Sequence, residues 1–252
     1  MTVALVTGAG RGIGEACALR FARDGHDLVL AARSAPSLAQ VAEKARALGA
    51  RTLAVPTDVS DLAALDALVS AAATEFGRVD VLVNNAGMLP TAARVEHVTA
   101  EVFRAALDVN LIAPWYLAAR VRDVMVSTGD GGVVLNMTST AAIYPSVGFA
   151  VYNSSKAALS MLTRTMALEW ARDGIRVIGV APGKVDTEMV APILEYSAKR
   201  GVRLNPMNRS GQPEEVAELV SFLVSDRAAF ITGSIVTIDG GEVVSTGADG
   251  AR

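Results

Sequence analysis

Residues 152–156 read Tyr-Asn-Ser-Ser-Lys, and a phenol four positions before an ammonium is a pair that can do chemistry. On a helix such residues share one face, about 6 Å apart along the axis. A tyrosine gives up its proton near pH 10. A neighbouring cation stabilises the phenolate and moves that transition toward the range useful for proton transfer. The same spacing also arises on any exposed helical face, so Tyr152 and Lys156 need a context before they mean anything.

A second stretch supplies one. The apolar run Val3-Ala4-Leu5-Val6 is followed at once by TGAGRGIG, residues 7–14. Glycine permits positive φ and lets a ligand approach the backbone, and a helix that starts after such a turn offers free N–H groups and the positive end of its dipole. A pyrophosphate fits that environment; a merely tight strand–helix turn is the other reading. The spacing Gly8-x3-Gly12-x-Gly14 differs from the common dinucleotide pattern G-x-G-x-x-G. Which dinucleotide would bind is a question of charge. An acidic residue after the second strand serves the ribose 2′-hydroxyl of NAD, whereas a 2′-phosphate needs cations. Here the second strand ends Ala31-Ala32-Arg33, and Arg11 lies in the glycine turn. The absent carboxylate and the two guanidinium groups favour NADP(H) over NAD(H).

Short apolar runs alternating with longer helical patterns must position these groups. The patterning predicts strands over 3–7, 27–31, 51–55, 80–84, 132–137, 175–181 and 234–238. Helices are predicted over 12–24, 35–48, 61–76, 100–127, 153–172 and 213–225. That alternation implies βαβ units with right-handed crossovers: an α/β, Rossmann-type, doubly wound parallel sheet of about seven strands, covered by helices on both faces. Ser60 and Asp61 can cap the third helix. Pro213, Glu214 and Glu215 suit the first turn of the last one, whose stripe Val216, Leu219, Val220 and Leu223 reads as core. No repeat or linker interrupts the chain, so residues 1–252 read as a single dinucleotide-binding catalytic domain with a loosely ordered tail over 242–252.

Composition narrows the function. Of 252 residues, 51% are hydrophobic and the net charge is −3, which provides a core and argues against nucleic acid or a membrane surface as partner. One cysteine and two histidines leave no disulfide and no metal site; Cys17 reads as a small core residue. No run reaches the roughly 20 apolar residues of a membrane span, and the start lacks a basic n-region. A cytoplasmic location is the expectation.

TGAGRGIG, NNAG at 84–87, NMTS ending at Ser139, YNSSK at 152–156 and PGKVDT at 182–187 occur in order. Together they resemble the short-chain dehydrogenase/reductase family over residues 2–241, including its 3-oxoacyl-[acyl-carrier-protein] reductase-like members. The resemblance implies a role for each matching position. Tyr152 would be the general acid/base, Ser139 would hold the substrate oxygen, and Lys156 would lower the Tyr152 pKa and bind the nicotinamide ribose. Asn110 would anchor a water that completes a proton relay. Gly8, Arg11, Gly12, Ile13 and Gly14 would surround the pyrophosphate and adenosine side, and Arg33 would meet the 2′-phosphate. Asp58 and Val59 would bind the adenine, although turn formation alone also explains Asp58. Asn85, Ala86 and Gly87 would line the cofactor, and Pro182, Gly183, Val185 and Thr187 would hold the nicotinamide carboxamide. Lys184 departs from the pattern, where an apolar or small residue is usual. Thr138 stands where many members have serine.

The implied activity is an NADP(H)-dependent hydride transfer between nicotinamide and a carbonyl or secondary alcohol, with an acyl thioester among the candidate substrates. An NAD-dependent dehydrogenase of a sugar, steroid or other secondary alcohol is the alternative, and a non-catalytic nucleotide-binding sensor or scaffold is the alternative of another class. Residues 140–151 and 188–209 are expected to border the substrate, with Ile143, Tyr144, Val147, Phe149, Met189, Ile193, Leu194, Tyr196 and Met207 forming an apolar pocket. Lys199, Arg200, Arg203 and Arg209 read either as an anion-attracting group or as a solvated helix end. The resemblance also implies a homotetramer or homodimer, formed through the helices 100–127 and 153–172 and the final strand, with Ala113, Trp115, Leu117, Ala118, Leu159, Leu162, Met166 and Trp170 as apolar material.

Overall fold

The computed structural model describes residues 2–245. Seven parallel strands lie in the order β3-β2-β1-β4-β5-β6-β7: β1 Val3–Thr7, β2 Asp27–Ala32, β3 Thr52–Pro56, β4 Val81–Asn84, β5 Gly132–Met137, β6 Ile175–Pro182 and β7 Ile235–Ile238. This is the doubly wound sheet expected from the sequence. The chain builds outward from β1 through β2 to β3, then returns to place β4 on the other side of β1. The crevice beyond the carboxyl ends of β1 and β4 is therefore the topological switch point, where such sheets bind ligands.

Alternation along β1 shows how the strands are covered. Ala4 and Val6 face one layer, with α1 (Gly12–Arg23), α2 (Ala35–Ala47) and α8 (Pro213–Val224). Val3 and Leu5 face the other, with α3 (Leu62–Phe76), α5 (Ala113–Thr128) and α6 (Ala150–Trp170). Val216, Val220 and Leu223 of the expected stripe are buried, and Leu219 packs at its margin. Cys17 lies wholly inside the first layer, and burial pushes its thiol up to about 12, so it stays a protonated core residue.

Local signals act as read. The Asp61 carboxylate accepts from the Ala63 and Ala64 N–H groups at 2.9 and 3.3 Å and caps α3. Pro213 opens α8, and the Gln212 N–H donates to Glu215 Oε2 at 2.8 Å.

Two expectations change and one segment gains a helix. The helix read over 100–127 is divided: α4 (Ala100–Leu107), a wide π turn over Asp108–Ile112, then α5. Pro114 lies behind this break, since it brings no N–H to the carbonyl of Asn110 four residues earlier. Within 188–209, α7 spans Ala191–Arg200, with Pro192 in its first turn and Gly201 as its left-handed C-cap. Lys199 and Arg200 form the basic end of that helix, the solvated reading for those two, whereas Arg209 pairs with Glu215. The tail does not loosen at Gly241, because Glu242–Ser245 form a helical turn, α9, with Glu242 buried. The rest of that expectation, residues 246–252, lies outside the described residues. Among the described residues no helix is long and apolar enough to cross a membrane.

Candidate active site

The glycine turn leaves β1 at Thr7 and enters α1 at Gly12. Gly8 has φ +65°, and a Cβ built on Gly14 would fall 2.2 Å from the Gly8 carbonyl oxygen. Side chains are excluded there by the backbone itself, so the turn is shaped for close approach. Arg11, the N-cap of α1, is extended and makes no side-chain cap. The first-turn N–H groups are consequently free of a capping side chain and point with the positive dipole end into the switch-point crevice. These features fit a dinucleotide pyrophosphate.

The segment after β4 faces the turn. Asn85 Nδ2 donates to the carbonyls of Thr7 at 2.9 Å and Gly8 at 3.3 Å, while Thr7 Oγ1 accepts from the N–H groups of Asn85 and Ala86, both at 3.0 Å. Asn85 thus ties the two sides of the crevice together. The centre of the sheet is held by residues that the sequence reading passed over. Asn84 Nδ2 donates to the Pro114 carbonyl at 3.1 Å and to Asn136 Oδ1 at 2.9 Å, and Asn136 Nδ2 donates to Thr163 Oγ1 at 2.9 Å. This buried chain crosses from α5 to α6. Its signal was available: two asparagines at the ends of apolar strands, each needing a partner.

Ser139, Tyr152, Lys156 and Asn110 come together at the carboxyl end of β5. Ser139 Oγ accepts from the Ala141 N–H at 3.1 Å, leaving its own proton free to donate. Tyr152 stands in the first turn of α6; burial raises its pKa, and a hydrogen bond with Ser139 opposes that rise. Lys156 is buried, donates to the Met137 carbonyl at 2.8 Å and lies 5.8 Å from the centre of the Tyr152 ring. Burial pulls its ammonium down to about 8. The resemblance led us to expect Lys156 to lower the Tyr152 pKa; in this structure desolvation dominates and the phenol stays above its ordinary value.

Asn110 sits in the π turn, fully buried. Its Oδ1 accepts from the Met88 N–H at 2.9 Å, and its Nδ2 donates to the Met88 carbonyl at 2.9 Å and to Ser155 Oγ at 3.1 Å. Ser155 Oγ in turn donates to the Tyr152 carbonyl at 2.8 Å, so Ser155, unremarked in the sequence, links Asn110 to the base of Tyr152. Gly87 lies between them: a Cβ there would stand 3.3 Å from Asn110 Oδ1 and 3.6 Å from Lys156 Nζ. Thr138 is spent on the sheet, its hydroxyl donating to the Val180 carbonyl at 2.9 Å.

At the adenosine end, β2 finishes at Ala32 and Arg33 is exposed beside Asp58, whose carboxyl is held below its ordinary range chiefly by hydrogen bonds from Ser60, with the Arg33 charge adding to them. Asp58 Oδ1 accepts from the Ser60 N–H at 3.0 Å and the Ser60 hydroxyl at 2.7 Å, the turn-forming use weighed for it; Val59 beside it is buried. The Arg11 guanidinium forms an ion pair with Glu188, so Arg11 and Arg33 do not converge in this structure. Ile13 packs against the core, and Pro182, Gly183, Val185 and Thr187 continue from β6 across the crevice until Thr187 Cγ2 lies 3.2 Å from a Cβ built on Gly12.

A cavity of about 390 Å³ opens beside Tyr152. Its walls include Met88, Pro90, Ala92, Val98, Val102 and Phe149, and none of 188–209 contributes. Of the residues expected at the substrate, Ile143, Val147, Met189, Tyr196 and Met207 are exposed. The residues after NNAG were missed, although a loop at the carboxyl end of a strand beside a switch point is where a site forms.

A family model described as Enoyl-(Acyl carrier protein) reductase matches residues 8–242. A cyclohexanol dehydrogenase from Acinetobacter sp. (strain SE19) is 36% identical over 94% of this chain and 93% of its own length. A 3beta-hydroxysteroid dehydrogenase 1 from Eggerthella lenta is 38% identical over 96% of this chain and 94% of its own. The solved structure of a 7 alpha-hydroxysteroid dehydrogenase complexed with NADH and 7-oxo glycochenodeoxycholic acid superposes with a TM-score of 0.91 at 34% identity, covering 96% of this chain and 94% of that one. The chain belongs to the short-chain dehydrogenase/reductase family. It is an oxidoreductase of alcohols and carbonyls, of the kind that binds a nicotinamide cofactor.

Proposed function

We propose that this protein is an NADP(H)-dependent reductase of neutral, largely hydrocarbon ketones and of the corresponding secondary alcohols in reverse. The observation that carries the reading is the meeting of Ser139, Tyr152 and Lys156 between the glycine-turn crevice and an apolar cavity. A nicotinamide bound in the crevice supplies or accepts the hydride at the carbonyl carbon. The Ser139 hydroxyl donates to the carbonyl oxygen and holds it against Tyr152. The Tyr152 phenol, protonated at neutral pH, gives its proton to that oxygen as the carbon is reduced; in oxidation the phenolate takes the proton back. The first turn of α6 and the Lys156 ammonium both favour the phenolate left behind. Lys156 would also donate to ribose hydroxyls with the donors that the Met137 carbonyl leaves free. Asn110 braces Met88 and Ser155 beneath Tyr152, and it is the residue that would anchor a water in the relay.

Cofactor choice is supported by the absence of a carboxylate at the end of β2 and by Arg33 beside it. The NAD(H) reading keeps one observation in its favour, since Arg11 is engaged by Glu188. Substrate choice is supported by the cavity wall, which is mostly apolar and contains no lysine, arginine, aspartate or glutamate; besides Tyr152 its polar side chains are Thr91, His97 and Thr99. The protein would act in the cytoplasm as a homotetramer or homodimer. Most of the apolar residues expected at a subunit contact are core, but Trp115, Met161 and Leu168 are exposed on the outer surface of α5 and α6. Initial rates with NADPH and NADH against cyclic ketones, sugars and a 3-oxoacyl thioester test the reading. NADPH-driven reduction of the cyclic ketones is expected, whereas a strong NADH preference overturns the cofactor assignment and turnover of charged thioesters alone overturns the substrate class.

A further inference from the structure

Lys184 stands at a position where a small or apolar residue is usual, and the structure shows what it meets. Its ammonium forms an ion pair with Glu242, the first residue of α9, with side-chain exposures of 26% and 7%. The other carboxylate oxygen, Glu242 Oε2, is buried and has no hydrogen-bond partner among the described residues. It lies against the open face of Gly183, where a Cβ would fall 2.8 Å from Oε2 and 2.8 Å from Asp239 Cβ. Asp239 is occupied on its own side, accepting from the Gly241 and Val243 N–H groups, both at 2.8 Å.

Burying an ion pair costs desolvation, and such pairs are weak contributors to net stability. The backbone here is already held without it. The Gly183 N–H donates to the Ile238 carbonyl, the Gly211 N–H to the Lys184 carbonyl and the Asp186 N–H to the Gly211 carbonyl, each at 2.9 Å. What the pair adds is a side-chain clamp at the root of the segment 182–188, while Thr187 packing on Gly12 and Glu188 pairing with Arg11 fasten its far end to the glycine turn. The segment is a strap across the crevice, clamped at its root and touching the glycine turn at its far end, where the Arg11–Glu188 pair is exposed.

We propose that Lys184 and Glu242 are positioning residues for the cofactor: the α9 turn, through this pair and its packing on Gly183, sets the strap Pro182–Thr187 at the height that the nicotinamide half of the dinucleotide requires. This rests on the reading of that strap as the nicotinamide cradle. A clamp on one half of a bipartite ligand is separable from a clamp on the fold. Calorimetric titration with NADPH and with 2′,5′-ADP, which has the adenosine half and no nicotinamide, makes the separation in wild type, Glu242→Gln, Lys184→Met and the double variant. The expected result is NADPH binding weakened about tenfold in each single variant, with 2′,5′-ADP binding unchanged. The double variant should be no weaker than the worse single, because one interaction has been removed twice. The charge-exchanged protein, Lys184→Glu with Glu242→Lys, should recover part of the loss. Unchanged NADPH affinity in Lys184→Met overturns the proposal, as does equal weakening of both ligands, which would mark the pair as structural. Failure of the wild type to bind NADPH while it binds 2′,5′-ADP would instead remove the cradle reading beneath it.

Discussion

The Lys156 Nζ lies 5.8 Å from the centre of the Tyr152 ring and donates to the Met137 carbonyl, so the cation stands beside the phenol while the sheet holds one of its three donors. Phenol and ammonium therefore act at separate atoms, and removing the phenol should leave the binding face intact. Tyr152→Phe is expected to lower kcat by about 10²–10⁴-fold, with the Kd for cofactor within about twofold of wild type by fluorescence titration. Full turnover in Tyr152→Phe would refute its role as acid.

The pH dependence follows from burial. Lys156 is held down to about 8, so it is a cation below that pH and neutral above it. A cofactor bound partly by that charge should keep a constant Kd below about pH 8 and weaken as pH rises beyond it. Lys156→Met should bind more weakly at every pH and lose the bend; the same bend in that variant would assign it elsewhere. Stability runs the opposite way. The lowered pKa means that the fold disfavours the charged lysine, a cost fully present below about 8 and relieved as pH climbs toward the ordinary lysine value of 10.5.

At the adenosine end, Arg33 is exposed beside Asp58 while Glu188 holds Arg11. Arg33→Ala should cost NADPH about tenfold or more in Kd, the scale of one hydrogen bond to a charged group, with little effect on NADH. Glu188→Gln should release Arg11 and tighten NADPH binding relative to NADH. Equal changes for both dinucleotides would show that neither arginine reads the 2′-phosphate.

The cavity beside Tyr152 can be filled without touching the crevice. Ala92→Trp places a ring in a wall that Val98 and Val102 complete. KM for a cyclic ketone should rise at least tenfold while NADPH affinity stays level. An unaltered KM would place the substrate on the side of α7 instead.

Much of this was legible in the sequence, and the reasons differ by element. Strands were readable because each is an apolar run ended by a turn signal. Ser139, Tyr152 and Lys156 were readable because motifs fix their spacing. The break at Asp108–Ile112 was not, because helical periodicity on both sides reads straight through it; only Asn110 and Pro114, set four apart, hinted at it. The partner of Lys184 lies 58 residues further along, beyond the reach of any local pattern. The cavity wall was missed because Met88, Pro90 and Ala92 carry no periodic signature.

The buried amide chain makes a prediction about stability. Asn136→Leu removes the acceptor of one Asn84 hydrogen bond and the donor to Thr163 in a layer without solvent. A loss of about 2 kcal/mol is expected, lowering Tm by roughly 4–8 °C. A Tm within about 1 °C of wild type by calorimetry would show that the chain relaxes around the change.

The wide turn at Asp108–Ile112 also sets the phase of everything after it. Deleting one residue there to restore ordinary winding would rotate α5 by about 100°. Leu117, Val121 and Met125, all wholly or almost wholly enclosed, would swing out of the layer while Trp115 turned inward. A segment that looks like a local irregularity is thus the gear tooth that keeps a whole helix in step with the sheet beneath it.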